Sequence, residues 1–283
     1  MSEMRMIRKE QVEDVLSRML PELSFEVPAD VLSGLEHAYE AESGPRAREA
    51  LKLLVENARV ASQDRVAICQ DTGSVWVCLE MGPDTCVAGD VFSGVDDVVA
   101  RVYGECNLRK SLVRDALLDR ANSGDNTPAF CEIETSEAPG ARLHVMCKGG
   151  GSDNASRVVM LTPSAGREGI CEALLTCVRE KAANACPPLI IGIGVGATFD
   201  TVGHLAKRAL MRPIGSSSGD ARIDGFEREL LDAVNATGIG AAALGGATTA
   251  LAVHVETAPC HIAALPLAIN MGCSATRRGT YEL

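Results

Sequence analysis

No two of the eleven cysteines in this chain are spaced C-x-x-C. That absence removes zinc-ribbon and thioredoxin-type readings in their usual forms. It also removes the compact ferredoxin pattern, so an iron–sulfur cluster would have to draw its ligands from distant loops. The opening residues lack the positive-apolar-small order of a signal peptide, and no unbroken apolar run reaches about 18 residues. The expectation is a cytoplasmic protein without a membrane span. There its cysteines serve as reduced thiols or metal ligands, because disulfides seldom persist in that compartment. Basic residues are also in short supply, with 27 Lys and Arg against 38 Asp and Glu, a net charge of -11 and a pI near 5.0. With no basic patch, neither nucleic acid nor an acidic membrane is an expected partner. An anionic substrate would be held by locally placed Arg, Lys or backbone N–H groups. No internal repeat, low-complexity tract or Pro/Ser-rich linker is present.

What is there is ordinary globular material: 283 residues, 46% hydrophobic and 23% charged, enough for one large core or two modest ones. Apolar residues at helical spacing recur at Val12, Val15, Leu16 and Met19, then at Val31, Leu32, Leu35 and Ala38, then at Leu51, Leu54, Val55 and Ala58. From Val66 the pattern changes to short β-forming runs at Arg65–Ile68, Val75–Leu79, Thr85–Ala88, Phe130–Glu134 and Leu143–Met146, with a helix expected at Val95–Tyr103. Further on, the pattern gives a helix over 164–184, a buried strand at Leu189–Ala197, a helix through Leu205 and Leu210, another at about 223–236, and a strand at Thr248–Val255. The fold class is α/β: a helical N-terminal lead-in over about 1–64, followed by mixed β-sheets flanked by helices, as a single domain over 1–283. A boundary near 155–160 is the alternative division.

Three loops set a cysteine against Gly or Pro at the edge of an apolar run: Cys69-Gln70-Asp71-Thr72-Gly73, Cys186-Pro187-Pro188, and Gly272-Cys273-Ser274-Ala275-Thr276-Arg277-Arg278. Lys148-Gly149-Gly150-Gly151-Ser152 follows a strand, and its successive N–H groups suit an anion cradle as well as they suit a flexible turn. Arg109-Lys110 is either a solvated pair or an anion grip. Gly192-x-Gly194-x-x-Ala197 fits a dinucleotide turn, but no strand after the helix carries an acidic residue for a ribose. His254, Glu256, Cys260 and His261 make a weak zinc set, since Cys260 and His261 face opposite ways on an extended chain. His261 alone, supported by a carboxylate, suits acid–base work better. Three loop cysteines are one short of closing a cubane cluster, which would leave one iron open as a Lewis acid.

Taken together these motifs, with Gly192–Asp200, Leu205-Ala206-Lys207-Arg208, Gly245-Gly246-Ala247-Thr248-Thr249 and Cys260-His261, resemble the alpha subunit, or N-terminal catalytic half, of class I iron–sulfur hydro-lyases. That family comprises oxygen-sensitive fumarate hydratase and tartrate dehydratase, and the similarity runs from about residue 10 to the C-terminus. The resemblance implies that Cys69, Cys186 and Cys273 ligate a [4Fe-4S] cluster. It implies that Gln70, Arg109 and the backbone of Gly150 or Gly151 hold a small dicarboxylate, and that Asp71 and His261 form a carboxylate–imidazole pair. Two positions depart from the pattern: Ala197 stands where glycine is expected and Cys78 where an aromatic is usual.

The main expectation is the cluster-bearing subunit of a fumarate hydratase that interconverts malate and fumarate, in the tricarboxylic acid cycle. L(+)-tartrate dehydration to oxaloacetate is its alternative. The rest of the family's site, with further cations and a carbon base, has no counterpart before Leu283. A separate beta subunit is therefore expected, with alpha chains paired in an α2β2 complex. Outside the class stand a dinucleotide-binding oxidoreductase and a non-catalytic iron–sulfur scaffold.

Overall fold

The computed structural model describes residues 4–283. In chain order, β1 (Arg5–Ile7), α1 (Lys9–Phe25), α2 (Ala29–Ala41) and α3 (Pro45–Asp64) lead to β2 (Ser74–Met81), β3 (Thr85–Val87), α4 (Val95–Glu105), β4 (Phe130–Thr135) and β5 (Ala141–Lys148). The short α5 (Gly150–Asn154), β6 (Arg157–Leu161), α6 (Gly166–Lys181), β7 (Leu189–Ala197), α7 (Val202–Met211) and α8 (Ala221–Asn235) follow. The chain ends with β8 (Ala250–Cys260), β9 (Leu265–Gly272) and β10 (Arg277–Glu282). The fold is mixed α/β, and the described residues form two compact units.

The first unit comprises residues 4–28, 60–149 and 277–283. Its main sheet has the order β10-β5-β2-β4, with β2 antiparallel to β5 and parallel to β4. Because strand side chains alternate between faces, Val75, Val77 and Leu79 of β2 share a face with Leu143, Val145 and Cys147 of β5. These pack in one core with Val12, Leu16 and Leu20 of α1 and Val99, Val102 and Tyr103 of α4. Burial of each Leu or Val there contributes roughly 1.5–3 kcal/mol. The opposite face carries Trp76, Cys78, Glu80, His144, Met146 and Lys148, all buried, so β2 lacks the clean polar alternation of a half-solvated strand.

The second unit comprises residues 29–59 and 150–276, with a sheet of order β6-β9-β7-β8. β7 pairs parallel with β8, and the crossover this requires runs through α7 and α8. Leu189, Ile191 and Ile193 face α6 and α8 in a second core with Leu174, Val178, Leu230 and Val234. Gly192 and Gly194 lie on the other face, where α7 packs directly on the strand. A Cβ at Gly192 would sit 2.1 Å from the Ala206 carbonyl oxygen, and one at Gly194 would sit 2.4 Å from that of Val202. The glycines of the G-x-G-x-x-A stretch thus serve close helix–strand packing.

Two local expectations change. Arg65–Ile68, with β-forming residues, is no strand: Arg65 has φ +52 and the Ile68 N–H donates to the Ser24 carbonyl, so the segment is an irregular link from α3 into the Cys69 loop. At the C-terminus, polar Arg277–Glu282 forms β10 along β5, because backbone pairing on a sheet edge needs no apolar pattern. Pro259 lies within β8, which is tolerated because β8 is an edge strand.

Candidate functional site

In the first unit the Asp71 loop is fixed by its backbone. Tyr103 Oη donates to the carbonyls of Thr72 (3.1 Å) and Gly73 (3.2 Å), and Asn126 Nδ2 donates to Gly73 at 3.0 Å. Arg277, only 2% exposed, donates from Nη2 to the Asp71 carbonyl at 2.8 Å. Gly73 has φ +81, and a Cβ there would lie 2.7 Å from the Lys148 backbone, so glycine is required at this close approach. The loop thereby presents the Asp71 carboxylate with Oδ1 accepting the Gly73 N–H at 3.1 Å and 3.7 Å from Arg109 Nη2. Gly149 lies beside Oδ2, since a Cβ at that position would sit 3.4 Å from it. Arg109 is held by its own backbone, whose carbonyl accepts from Thr72 Oγ1 at 2.5 Å, while its guanidinium remains more than half exposed. Cys69 is half-buried, with Sγ 3.4 Å from Gln70 Oε1. Asp71 and Arg109 are therefore brought together, with Gln70 on the same loop and its side chain toward Cys69. Tyr103 and Asn126, which anchor their loop, carry no signal in the sequence that separates them from core and turn residues.

In the second unit the Ser274 N–H donates to the Cys186 carbonyl at 3.1 Å, stitching the two cysteine loops to each other. They meet at one end of the sheet, because β7 begins just after Cys186 and β9 ends just before Cys273, with Ile190 paired to Gly272. Cys186 is exposed and adopts φ +55, a left-handed conformation costing a non-glycine residue about 1–2 kcal/mol. Such strain persists where surrounding bonds enforce it. Gly151 approaches the same segment, as a Cβ there would lie 3.1 Å from the Asn184 carbonyl oxygen. Gly150 opens the five-residue α5, so the triple-glycine stretch turns into a helical turn.

His261 lies elsewhere in this unit. It follows β8, whose Cys260 pairs with Ala197 at the far end of β7. The twelve residues from His261 to Cys273 are spent on a turn and on β9, which runs back along the sheet. About 25 Å of strand, at roughly 3.3 Å per residue, separates His261 from the Cys186–Cys273 end. Its Nδ1 accepts the Ala263 N–H at 3.1 Å, so the neutral ring carries its proton on Nε2. His254, Glu256, Cys260 and His261 do not converge on a metal position among the described residues. Instead, Arg212 lies 2.6 Å from Glu227 and 3.7 Å from Glu256 in a structural ion-pair group, while Cys260 Sγ donates to the Ala264 carbonyl.

The cysteines sort by environment. Burial pushes the Cys147 and Cys177 thiols above their ordinary pKa, and Cys177 donates to the Ala155 carbonyl within the core. These are structural thiols, poorly suited to act as thiolate ligands. Cys69, Cys186 and Cys273 sit on loops outside the two cores. Within the second unit, Cys186 and Cys273 stand on two loops bonded to each other, outside the core, and thiols so placed have the donor chemistry an iron–sulfur centre uses.

The model of the family described as "Fumarate hydratase (Fumerase)" matches residues 13–282. A protein of Methanocaldococcus jannaschii, named provisionally as an L(+)-tartrate dehydratase subunit alpha, is 37% identical over 275 residues, covering 95% of this chain and 96% of its own. The L(+)-tartrate dehydratase subunit alpha of Escherichia coli strain K12 is 28% identical over 271 residues, covering 94% and 89% respectively, and that of Shigella sonnei matches to the same extent. With nearly the whole chain matched by the family model and by full-length relatives, this chain belongs to the fumarate hydratase family, as an alpha-type class I iron–sulfur hydro-lyase.

Proposed function

We propose that this chain is the alpha subunit of an L(+)-tartrate dehydratase and carries a [4Fe-4S] cluster on Cys69, Cys186 and Cys273. The relatives' names favour tartrate over malate, the reverse of the order expected from the sequence. The single observation carrying the chemistry is the Asp71 loop, where a carboxylate and the Arg109 guanidinium are presented side by side on a backbone clamped by Tyr103, Asn126 and Arg277. When bound, the cluster supplies a Lewis acid for a 2-hydroxy acid. Arg109, Gln70 and the Gly150 or Gly151 amide would orient the substrate's carboxylates, and Asp71 would give the hydroxyl the proton with which it leaves as water, while the carbon-bound proton goes to a separate base. Net loss of water from tartrate leaves an enol that rearranges to oxaloacetate. From malate the same elimination yields fumarate, and the family description supports that as the second reading.

His261 is assigned as the imidazole partner in this reading, and its place at the far end of β8 restricts how it can act. With about 25 Å of strand between it and the Cys186–Cys273 end, His261 serves the site of a second copy. Alpha chains therefore pair, and a separate beta subunit supplies the remaining cations and the carbon base, giving α2β2. Asp71→Asn and His261→Asn should each retain the cluster, read from the visible spectrum of anaerobically purified complex, and lose roughly 10²–10⁴-fold in turnover. Assaying the same complex with L(+)-tartrate and L-malate decides between the two substrates. Near-normal turnover in either variant would remove that residue from the mechanism.

A further inference from the structure

On the sheet face opposite the first core, Glu80 of β2, Glu134 of β4 and His144 of β5 each offer a ligand atom, and these atoms all lie within 4.8 Å of one another. Strand pairing produces the convergence: Glu80 stands directly opposite Glu134, and His144 stands opposite Cys78, two residues along β2 from Glu80. Glu80 and His144 are 6% and 5% exposed. Glu80 divides its oxygens, with Oε1 toward Arg142 and Oε2 at 2.9 Å from His144 Nε2. The other imidazole nitrogen, Nδ1, is 2.8 Å from Thr280 Oγ1 on β10. In metal-binding histidines an outer hydrogen bond fixes the ring nitrogen that does not face the metal; Thr280 is placed to do this at Nδ1, leaving Nε2 on the side of the carboxylates. The trio's two carboxylates, with Glu132 a third on the same strand face, outnumber the Arg142 guanidinium that bridges Glu80.

We propose that Glu80, His144 and Glu134 form a divalent-cation site distinct from the cysteine centre, bracing edge strand β4 to β2 and β5. The oxygen-rich donor set with one imidazole suits an ion such as Mn²⁺. Glu80 lies six residues along β2 from Ser74, about 20 Å of strand beyond the end that follows the Asp71 loop. The ion therefore braces the sheet rather than touching substrate at Asp71. Arg142 uses the Glu80 oxygen that does not face His144, so it accompanies the ion rather than replacing it.

Mn²⁺ is the probe, because thiolates favour softer metals and leave the cysteine centre undisturbed. Cluster-loaded complex is titrated while the paramagnetic resonance signal of free Mn²⁺ is followed, and thermal unfolding is recorded in parallel. One ion per alpha chain should bind and raise the unfolding temperature. E134Q, at the half-exposed edge, should weaken binding by more than about tenfold, as should H144Q, since even outer-sphere partners cost 10–100-fold. R142Q should bind at least as tightly, and C186S should bind Mn²⁺ normally. Absence of saturable binding into the millimolar range, or binding and thermal shifts that E134Q leaves unchanged, would reduce the trio to an ion-pair network with an adventitious ion only. E134Q replaces a half-buried residue and remains decisive even if H144Q fails to fold.

Discussion

Tyr103 is the residue on which the Asp71 loop most visibly rests. Fully buried, it gives one hydroxyl to two carbonyls of that loop, and burial raises its pKa well above the ordinary phenol value, so it acts as a neutral donor. Tyr103→Phe leaves both carbonyls without this partner, which should cost about 1–3 kcal/mol. Because the loop carries Gln70 and Asp71, turnover should fall while cluster content holds. Unchanged turnover alongside lost stability in urea melts would show that the loop is held adequately by Asn126 and Arg277 alone. Ala197 is a second case. It occupies φ +57 where the family pattern leads one to expect glycine. The left-handed conformation costs about 1–2 kcal/mol, partly offset by the greater freedom glycine gains on unfolding. Ala197→Gly should therefore stabilise the chain by roughly 0.5–1 kcal/mol in denaturant titration.

At the level of elements, strong periodicity made most of the fold legible. α1, α2 and α3 follow their apolar stripes, and β2, β5 and β7 follow their β-rich runs, because each buries a face long enough to leave a pattern. β10 left none, since its pairing with β5 is carried by backbone hydrogen bonds. The Gly192–Gly194 stretch was ambiguous because phosphate binding and tight helix packing both demand a missing Cβ. Geometry resolves it: Gly192→Ala places a methyl on the Ala206 carbonyl and should destabilise by about 1–3 kcal/mol. NAD should not bind the parent chain, by calorimetry. Composition singled out the cysteine loops and Asp71 as candidates but passed over Asn126 and Tyr103, because a turn asparagine and a helix tyrosine look alike whether or not they clamp a loop. At the start of α8, Asp224 accepts from Ser217 and from the Ser218 side chain and N–H, which hold its pKa at about 2, below the ordinary 3.8. A folded-state value below the unfolded one adds stability above about pH 4, and that stability is lost as pH falls toward 2. Asp224→Asn should flatten acid unfolding across that window, and an unchanged profile would show that the serine contacts do not persist in solution.

For the whole molecule, the chain supplies a carboxylate, a guanidinium and three loop thiols, yet its histidine stands a strand length from two of those thiols. Spacing alone brought His261 near Cys273 because it counts residues without direction, and an antiparallel return along β9 converts twelve residues into distance. If His261 serves the site of a paired copy, defects in two different chains should complement each other. His261→Asn and Cys186→Ser chains, each inactive alone, are co-expressed with the beta subunit so that they assemble at random. In a mixed pair, the cluster of one chain meets the intact His261 of the other. With half the pairs mixed and one of two sites restored in each, about a quarter of wild-type turnover should return. Turnover no higher than that of the two variants assayed separately, despite mixed pairs confirmed by mass spectrometry, would show that His261 does not act across copies.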